Sequence, residues 1–490
     1  MTESSPHVSR ALCAIAVALA LCAALTAPAR ASRTQFTIMQ DDPQIVYHGA
    51  NVRARRIAEL RSLGVSVLKI RVSWASLAPG GRRVPSRNLA DPASYRAAVW
   101  ANFDDAIRRA VAAGMQVYLE LGGDAPYWAT HAGGGRHART VSPNGALFQK
   151  FAQAVGTRYS GNYASLPRVT LWGVWNEPNL APWINPQYRG NLPVSPIVYR
   201  GMIYAGFDGL SAAGHSHDRF LFGELLPFAR TSNDKSKVRP LLFLRELACV
   251  DSHFRPFTGR AAAERHCTHF RPLPGTGLSY HPYTLAGGPN ISTPNPDDAS
   301  IANMGRITAT LNKLGDRGRL QTRRMRIWIT EFGFRSDPPD PFETPIGQVP
   351  EFMGESEWLA YRNPNVVSYD QYPLVDDVSR RSGFGGFQSG IRFHNGKPKP
   401  GVYHAFKYPF YVRRLSGSRV EIFGGVRGGA AGTLVTLESR SGRRGRFTSF
   451  RQVPLGPMGY FDKVFSLSHA SSRQYRFVAG GAASLTESPA

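Results

Sequence analysis

Eight short apolar segments recur along the chain up to residue 371, and this rhythm constrains the fold more than any other feature. Their starts lie about 30 to 60 residues apart, which leaves room for a helix and a loop in each interval. Val67–Val72 and Gln116–Leu121 are almost continuously apolar, as strands buried on both faces require. The eight predicted strands are 36–39, 67–72, 116–121, 169–175, 220–223, 278–283, 326–331 and 366–371.

Amphipathic helices are predicted in the intervals. Residues 53–63 carry apolar side chains at helical spacing and end before Gly64, and residues 95–113 end in the same way before Gly114. Alternation of buried strand and helix favours a parallel sheet. Eight such units predict an α/β fold of the closed (β/α)₈ barrel type rather than an open doubly wound sheet, because no glycine-rich phosphate motif follows the first strand.

The pattern changes after residue 407. Short β-branched and aromatic runs follow one another, separated by turns rich in Gly, Ser and Arg, with no helical stretch between them. We therefore expect a barrel over residues 32–407 and a small all-β sandwich over residues 408–490, ending in a flexible tail. The sandwich is expected to pack on the barrel; carbohydrate binding is the alternative, although residues 408–490 contain no Trp.

The N-terminal residues read as an export signal. Arg10 precedes an apolar run over residues 11–27, and the sequence Ala29-Arg30-Ala31 has the small-x-small form of a cleavage site. The run is shorter than the roughly 20 residues of a membrane span, which disfavours a transmembrane anchor. We expect residues 1–31 to be removed and the mature protein to be secreted, with no membrane partner.

Two of the four cysteines lie in the signal segment, which leaves Cys249 and Cys267. In an oxidising compartment this pair is expected to form a disulfide ahead of the sixth strand. A zinc site that adds His253 and His269 is the alternative, but its spacing matches no standard pattern. No metal and no organic cofactor is expected.

The chain carries a formal charge of +25, with 59 Lys and Arg against 34 Asp and Glu. Arginines cluster within residues 53–56, 323–326 and 443–446, but no long basic tail or base-reading module accompanies them. Nucleic acid is therefore not an expected partner, and a solvated cationic face explains these clusters. Acidic cell-surface polymers stay open as partners.

Two acids follow strands that are distant in sequence. Glu177, within Asn176-Glu177-Pro178, follows the fourth strand, and Glu331 ends the seventh. The C-terminal strand ends of a (β/α)₈ barrel surround one mouth, and strands four and seven are nearly opposite. Two carboxyl groups would thus face each other across a cleft, as glycosidic bond hydrolysis requires. A separation of about 5–5.5 Å would indicate retention and about 6.5–9.5 Å inversion.

These two elements resemble the acid/base and nucleophile motifs of clan A glycoside hydrolases, which include families 5 and 39. The likeness covers most of residues 34–407, including 63–65, 71–74 and 395–401. It implies a retaining glycoside hydrolase that cleaves the O-glycosidic bonds of a β-linked poly- or oligosaccharide. Glu177 would be the general acid/base and Glu331 the nucleophile.

The resemblance also implies roles for neighbouring residues. Asn176 would hold the 2-hydroxyl of the sugar, and Arg71 would keep Glu331 ionised, because a nearby opposite charge favours a carboxylate. His281 and Tyr283 share one face of the sixth strand, so that one of them would bond to Glu331. In the alternative interpretation, Arg71 bridges barrel acids and His281 is a core histidine.

Aromatic residues near the strand ends are candidates for sugar stacking. We favour Trp128, because its loop follows the third strand, although buried Trp usually serves packing. The glycine-rich residues 133–135 of that loop would form a rim or lid. Where many clan members carry a Trp after strand eight, this chain offers Tyr369 or Tyr372. A catalytically silent glycan-binding or cell-wall-associated protein on the same barrel is the alternative function.

Overall fold

A computed structural model describes residues 32, 35–131, 138–229, 231, 234–341, 343–378 and 386–490. The expected signal peptide and the glycine-rich residues 133–135 lie outside these described residues. Among the helices that are described, none is both long enough and apolar enough to cross a membrane.

Within the described residues, eight parallel strands close into a barrel, which confirms the predicted fold class. Each strand pairs with its neighbours in sequence, and β1 pairs with β8 to close the ring. The strands are β1 Phe36–Gln40, β2 Val67–Val72, β3 Gln116–Leu121, β4 Leu171–Val174, β5 Arg219–Leu225, β6 Gly277–Tyr280, β7 Arg326–Ile329 and β8 Val366–Gln371.

The helices between these strands cover the barrel. They are α1 Ala50–Leu63, α2 Trp74–Leu77, α3 Ala97–Ala112, α4 Gly145–Arg158, α5 Ser195–Ala212, α6 Pro240–Leu247, α7 Gly259–Glu264, α8 Met304–Asp316, α9 Val349–Arg362 and α10 Val402–Lys407. As predicted, α1 ends at Gly64, where φ is 85° and a Cβ would lie 2.3 Å from the backbone of Arg427. Only glycine satisfies both constraints.

Six antiparallel strands follow the barrel: β9 Phe410–Ser416, β10 Arg419–Gly425, β11 Leu434–Ser441, β12 Thr448–Pro454, β13 Tyr460–Ser466 and β14 Arg473–Ala479, all within the fully described residues 408–490. One sheet has the order β9-β10-β13; the other has the order β12-β11-β14 with Ala482–Ala483 at its edge. Side chains of both sheets form one apolar core, so the predicted sandwich is confirmed.

A buried ion pair joins the sandwich to the barrel. The Arg427 guanidinium is 2.6 Å from a Glu357 carboxylate oxygen on α9, and neither side chain reaches solvent. Tyr460 donates to the same carboxylate, and Arg427 also donates to Thr37 Oγ1 of the barrel at 2.8 Å. The interface is thus specified by charge and hydrogen bonds as well as by apolar packing.

The C-terminal residues are held against the sandwich rather than forming the expected flexible tail. The Ala490 N–H donates to Val412 O at 3.0 Å, and the Arg414 N–H donates to Ala490 O at 2.8 Å. Glu487 and Tyr475 exchange two backbone hydrogen bonds. Through these bonds, Ala490 pairs with β9 of one sheet and Glu487 pairs with β14 of the other.

The expected disulfide is present between Cys249 and Cys267, whose Cα atoms are 5.7 Å apart. It closes the segment between α6 and β6, as predicted. Both sulfurs are consumed in this bond, so the alternative zinc site with His253 and His269 is wrong, because a zinc ligand must be a free thiolate.

Candidate active site

The two predicted acids meet at the C-terminal mouth of the barrel. β4 ends at Val174 and β7 at Ile329, so Glu177 and Glu331 both lie just beyond their strands. One carboxylate oxygen of each acid and one ring nitrogen of His281 lie within 4.8 Å of one another. Glu331 is buried, whereas the Glu177 side chain keeps 15% of its surface exposed. The fold thus brings the two acids together at one mouth of the barrel.

The backbone near these acids is strained. Trp175, Glu177 and Glu224 have φ values of 62°, 35° and 47°, in the left-handed region that favours glycine. Such conformations cost about 1–3 kcal/mol each and occur most often where a side chain must be aimed at a functional site. The strain therefore indicates that the ends of β4 and β5 hold side chains in place for a functional site.

His281 lies between three carboxylates and has no exposed surface. Its Nδ1 is 3.3 Å from Glu177 Oε1 and 3.8 Å from Glu331 Oε2, and its Nε2 is 2.6 Å from Glu224 Oε2. Burial alone would lower the pKa of His281, but the charge of Glu331 and the bonds to Glu177 and Glu224 raise it to about 10. The ring is thus a cation at neutral pH, and it lies between the two predicted acids.

Tyr283 supplies the hydrogen bond to Glu331 that the sequence left open between two residues. Its hydroxyl donates to Glu331 Oε1 at 2.8 Å. Burial and the neighbouring Glu331 carboxylate raise the pKa of Tyr283 well above its ordinary value, so the phenol keeps its proton. The Glu331 carboxylate is therefore held in place by a neutral donor.

Arg71 does not contact Glu331 directly. Its Nε is 3.4 Å from Glu120 Oε1 and its Nη2 is 4.0 Å from Asp42 Oδ2, while its guanidinium stacks on the Trp183 ring. The structure thus favours the alternative in which Arg71 bridges barrel acids. Its charge acts on Glu331 only through space.

A fully buried polar network lies directly beneath the site. Lys69 Nζ is 2.8 Å from Glu120 Oε2 and 2.6 Å from Glu224 Oε2, and all three side chains are fully buried. Glu224 also accepts hydrogen bonds from Tyr118 at 2.5 Å and Thr330 at 3.0 Å. Every oxygen of Glu224 therefore has a partner, which fixes the carboxylate that bonds to His281.

Burial and charge divide the roles of these acids. Burial would raise the pKa of Glu224, but Lys69 and His281 lower it well below its ordinary value. Burial raises the pKa of Glu120 to about 7 despite the two cations near it. Burial also raises the pKa of Asp370 well above its usual range. Glu224 is thus the ionised partner of His281.

We expect His281 to stay protonated well above pH 7, which NMR of the ring ¹⁵N nuclei would measure. Replacing Glu224 with Gln removes one of the three carboxylates and should lower the imidazole pKa by more than one unit. Since the folded pKa exceeds the ordinary value of about 6.5, this group stabilises the fold fully below pH 6.5 and loses that contribution as pH rises toward 10. A His281 that titrates near pH 6.5 would contradict the assignment.

Of the remaining predicted binding residues, Asn176 lies beside Glu177, whereas Trp128 lies in the packed interior. Asn176 is buried beside Glu177, and its Oδ1 has no hydrogen-bond partner among the described residues, which is compatible with holding a hydroxyl group. Trp128 is 6% exposed; its indole N–H donates to Pro79 O and its ring packs against Trp74. Trp128 thus serves packing, and its burial leaves little surface for a sugar.

A cleft of about 850 Å³ opens next to the acid pair and shares Tyr283 with it. Loops after β5, β6, β7 and β8 line it, including Phe228, Asn295, Phe334 and Phe387. Phe387 is 37% exposed, and its ring lies 6.3 Å from Tyr283 and 5.2 Å from Tyr372. This exposed ring can stack on a ligand in the cleft.

Of the two tyrosines expected near strand eight, Tyr372 belongs to the site and Tyr369 does not. The Tyr372 ring lies 5.2 Å from that of Phe387, which borders the cleft, and burial and the charge of Glu331 raise the pKa of its phenol well above its ordinary value. The Tyr369 hydroxyl instead shares a hydrogen bond with Ser356 of α9 at 2.7 Å.

Glu177, His281 and Glu331 are also a set of donors that a divalent metal ion could use. A histidine ligand must be neutral, however, and the pKa of His281 is raised to about 10 by its carboxylate neighbours. A metal ion would have to displace the second ring proton of His281. The protonated histidine between two carboxylates therefore favours acid and base chemistry.

No protein-family model and no curated protein matches this chain. Solved structures that resemble it include a GH30 endoxylanase from Clostridium papyrosolvens C71, at 12% identity and a TM-score of 0.46, over 93% of this chain and 98% of that chain. A GH5_18 protein from Streptomyces cattleya in complex with GlcNAc has 14% identity and a TM-score of 0.47, over 77% and 79%. An endocellulase from Pyrococcus horikoshii has 15% identity and a TM-score of 0.39, over 76% and 92%.

Sequence reasoning missed three residues that the structure brings to the site. The Trp183 indole donates to Glu177 Oε2 at 3.2 Å, Glu224 holds His281, and Phe387 borders the cleft. Trp183 follows the Asn-Glu-Pro element within one loop, a nearness that could have singled it out. Glu224 and Phe387 carry no comparable sequence signal.

Proposed function

We propose that this chain is a secreted retaining glycoside hydrolase that cleaves β-linked poly- or oligosaccharides. Glu177 is the general acid/base and Glu331 the nucleophile. The observation that carries the proposal is the acid pair, with carboxylate oxygens within 4.8 Å of each other at the mouth of a parallel barrel. This close approach of the two carboxylates supports direct attack by Glu331, the route of retaining enzymes.

In the first step, an oxygen of ionised Glu331 attacks the anomeric carbon. Glu177 gives its proton to the glycosidic oxygen as the bond to the leaving sugar breaks. In the second step, Glu177 takes a proton from water, and that water releases the sugar from Glu331. Both displacements invert the anomeric carbon, so the product keeps the β configuration.

The surrounding donors support this division of labour. Tyr283 bonds to Glu331 Oε1 and orients the nucleophile. The His281 cation lies between both acids, with its Nδ1 3.3 Å from Glu177 Oε1 and 3.8 Å from Glu331 Oε2, and so fixes their relative positions. Trp183 donates to Glu177 Oε2 and leaves the other oxygen to His281 and substrate. Partial exposure of Glu177 gives water the access that the second step requires.

The cleft beside Tyr283 supports a substrate longer than a single sugar. Its volume of about 850 Å³ is near the upper end of the range for small-ligand sites. The exposed ring of Phe387 offers the apolar face of a sugar a stacking surface. We therefore propose that polysaccharide or oligosaccharide residues bind along this cleft.

Replacing Phe387 with Ala is expected to raise KM for a polysaccharide substrate by about 5- to 10-fold through loss of stacking. The kcat for a small aryl β-glycoside should change by less than about twofold, because Phe387 contacts neither acid. Initial-rate kinetics on the two substrates measure the split. An equal loss of kcat/KM on both substrates would show that the Phe387 ring positions the acid pair and does not bind the polysaccharide.

A panel of aryl β-glycosides and dyed polysaccharides tests the proposed function. Turnover of at least one member by the wild-type protein is the expected result. Binding of polysaccharide without turnover across the panel would instead favour a glycan-binding protein on the same barrel.

A further inference from the structure

The three arginine clusters of the sequence have different environments in the structure. In the cluster at residues 53–56, Arg53 is buried against Asp105 and Arg56 pairs with Glu59 at 2.9 Å. Arg53 and Arg56 thus serve the packing of α1, while Arg55 between them is exposed. The charges of Arg53 and Arg56 are already neutralised by partners within the fold.

The cluster at residues 323–326 is also paired. Arg323 and Arg324 lie 2.9 Å and 2.7 Å from the same carboxylate oxygen of Asp316, at the end of α8. Arg326 donates to Pro364 O at 2.9 Å. This cluster is exposed, but its cations have local acceptors.

The third cluster is different. Arg443, Arg444 and Arg446 lie on the turn between β11 and β12, and all three are exposed. None of them has an ion pair or hydrogen bond to any described residue. Their charges are therefore available to a partner outside the chain.

The same end of the sandwich carries two further arginines. Arg440 of β11 and Arg476 of β14 lie with their guanidinium carbons 4.5 Å and 4.1 Å from the Phe447 ring centre. Glu438 of β11 pairs with Arg476 at 2.7 Å. We call the five arginines 440, 443, 444, 446 and 476 the arginine face; their summed charge exceeds the single negative charge of Glu438 by four.

We propose that the arginine face binds an anionic polysaccharide that carries carboxylate or sulfate groups. Guanidinium groups bind such groups through paired N–H donors, and a local excess of fixed positive charge attracts a polyanion. We choose a glycan over other polyanions because the proposed function of the barrel is glycan hydrolysis, and the inference rests on that proposal in this respect. The face lies on the sandwich, so its binding does not depend on Glu177 or Glu331.

The aromatic content of the face favours a glycan over nucleic acid. Phe447 is its aromatic side chain, and two guanidinium groups already cover the ring. Single-stranded nucleic acids need open aromatic surfaces on which bases stack. A polysaccharide with charged substituents needs none, because its acidic groups carry the attraction.

The test is the affinity of a Glu331→Gln protein for polygalacturonate and dextran sulfate, so that no substrate is consumed. Adding Arg443→Ser, Arg444→Ser and Arg446→Ser should weaken binding by about tenfold or more and reduce the slope of log Kd against log salt by about one to two. The matched control is Arg323→Ser, Arg324→Ser and Arg326→Ser, which removes the same charge from the paired cluster and should change Kd by less than about twofold. Thermal melting verifies that both variants fold.

Several results would overturn the inference. Equal weakening by both triple variants would show that net charge alone causes binding. Absence of binding to both polyanions, or tighter binding to single-stranded DNA or phosphatidylserine vesicles, would reject the anionic glycan. If the wild-type protein hydrolyses no glycoside but the arginine face still binds the polyanions, the inference stands and the proposed function fails. Failure of the inference and failure of the proposed function are therefore distinguishable.

Discussion

A Glu331→Gln variant is expected to fold normally and to lose about 10⁴-fold or more in kcat on an aryl β-glycoside. The amide cannot form the covalent ester with the anomeric carbon, and Tyr283 can still donate to its oxygen. Circular dichroism and initial-rate kinetics test the two halves of this expectation. The buried His281 cation keeps Glu177 and Glu224 as partners when Glu331 is replaced, so the variant is expected to fold.

Glu177 provides the matched comparison. A Glu177→Ala variant should lose about 10²- to 10⁴-fold when the leaving group needs a proton, and much less when the leaving group is a good one. Azide should restore part of the second step in this variant by taking the place of water. If Glu177→Ala and Glu331→Gln proteins both fold and remain active, the acid pair is not catalytic.

Replacing Lys69 with Met is expected to lower the free energy of unfolding by about 3–5 kcal/mol. The substitution leaves Glu120 and Glu224 buried without their shared cation, which lies 2.8 Å and 2.6 Å from them. Urea unfolding at pH 7 measures the loss. It should exceed by far the loss in Lys150→Met, because Lys150 is exposed on α4 and such changes cost about 0.5 kcal/mol or less.

The double variant Lys69→Met, Glu224→Gln separates charge from packing. Removing the stranded carboxylate should recover part of the stability that Lys69→Met loses, while activity stays low because His281 loses its ionised partner. If the double variant is no more stable than Lys69→Met, the cost comes from altered packing in the barrel and the charge network contributes little.

The barrel could be predicted because it depends on local periodicity. Val67–Val72, Gln116–Leu121 and residues 366–371 have the predicted bounds, and the other strands differ by a few residues at their ends. Once the strand order is known, topology brings Glu177 and Glu331 to one mouth. The acid pair follows from fold rules, with no knowledge of individual contacts.

The second layer of the site could not be predicted, because it depends on contacts between distant segments. Glu224 meets Lys69 across 155 positions and His281 across 57, and its strand had been expected to end at residue 223. Trp128 was favoured by its loop, but that loop folds back so that the ring packs on Trp74. Phe387 reaches the cleft from the loop after β8, which has no regular pattern.

The first strand of the sandwich has a weak sequence signal of its own. β9 Phe410–Ser416 begins only three residues after α10 ends at Lys407, and its second half is exposed and includes two arginines. Alternation is therefore weak within it. Pairing with β10 along its whole length, and not its own composition, makes it a strand.

Mass spectrometry of the protein after incubation with 2-deoxy-2-fluoro β-glycosides tests the acid pair most directly. These compounds slow both displacements, so that the glycosyl ester accumulates on the nucleophile. For the glycoside series that the wild-type protein hydrolyses, we predict a single label on the peptide containing Glu331. A label on another residue, or continued hydrolysis through an enzyme that never becomes labelled, would contradict nucleophilic attack by Glu331.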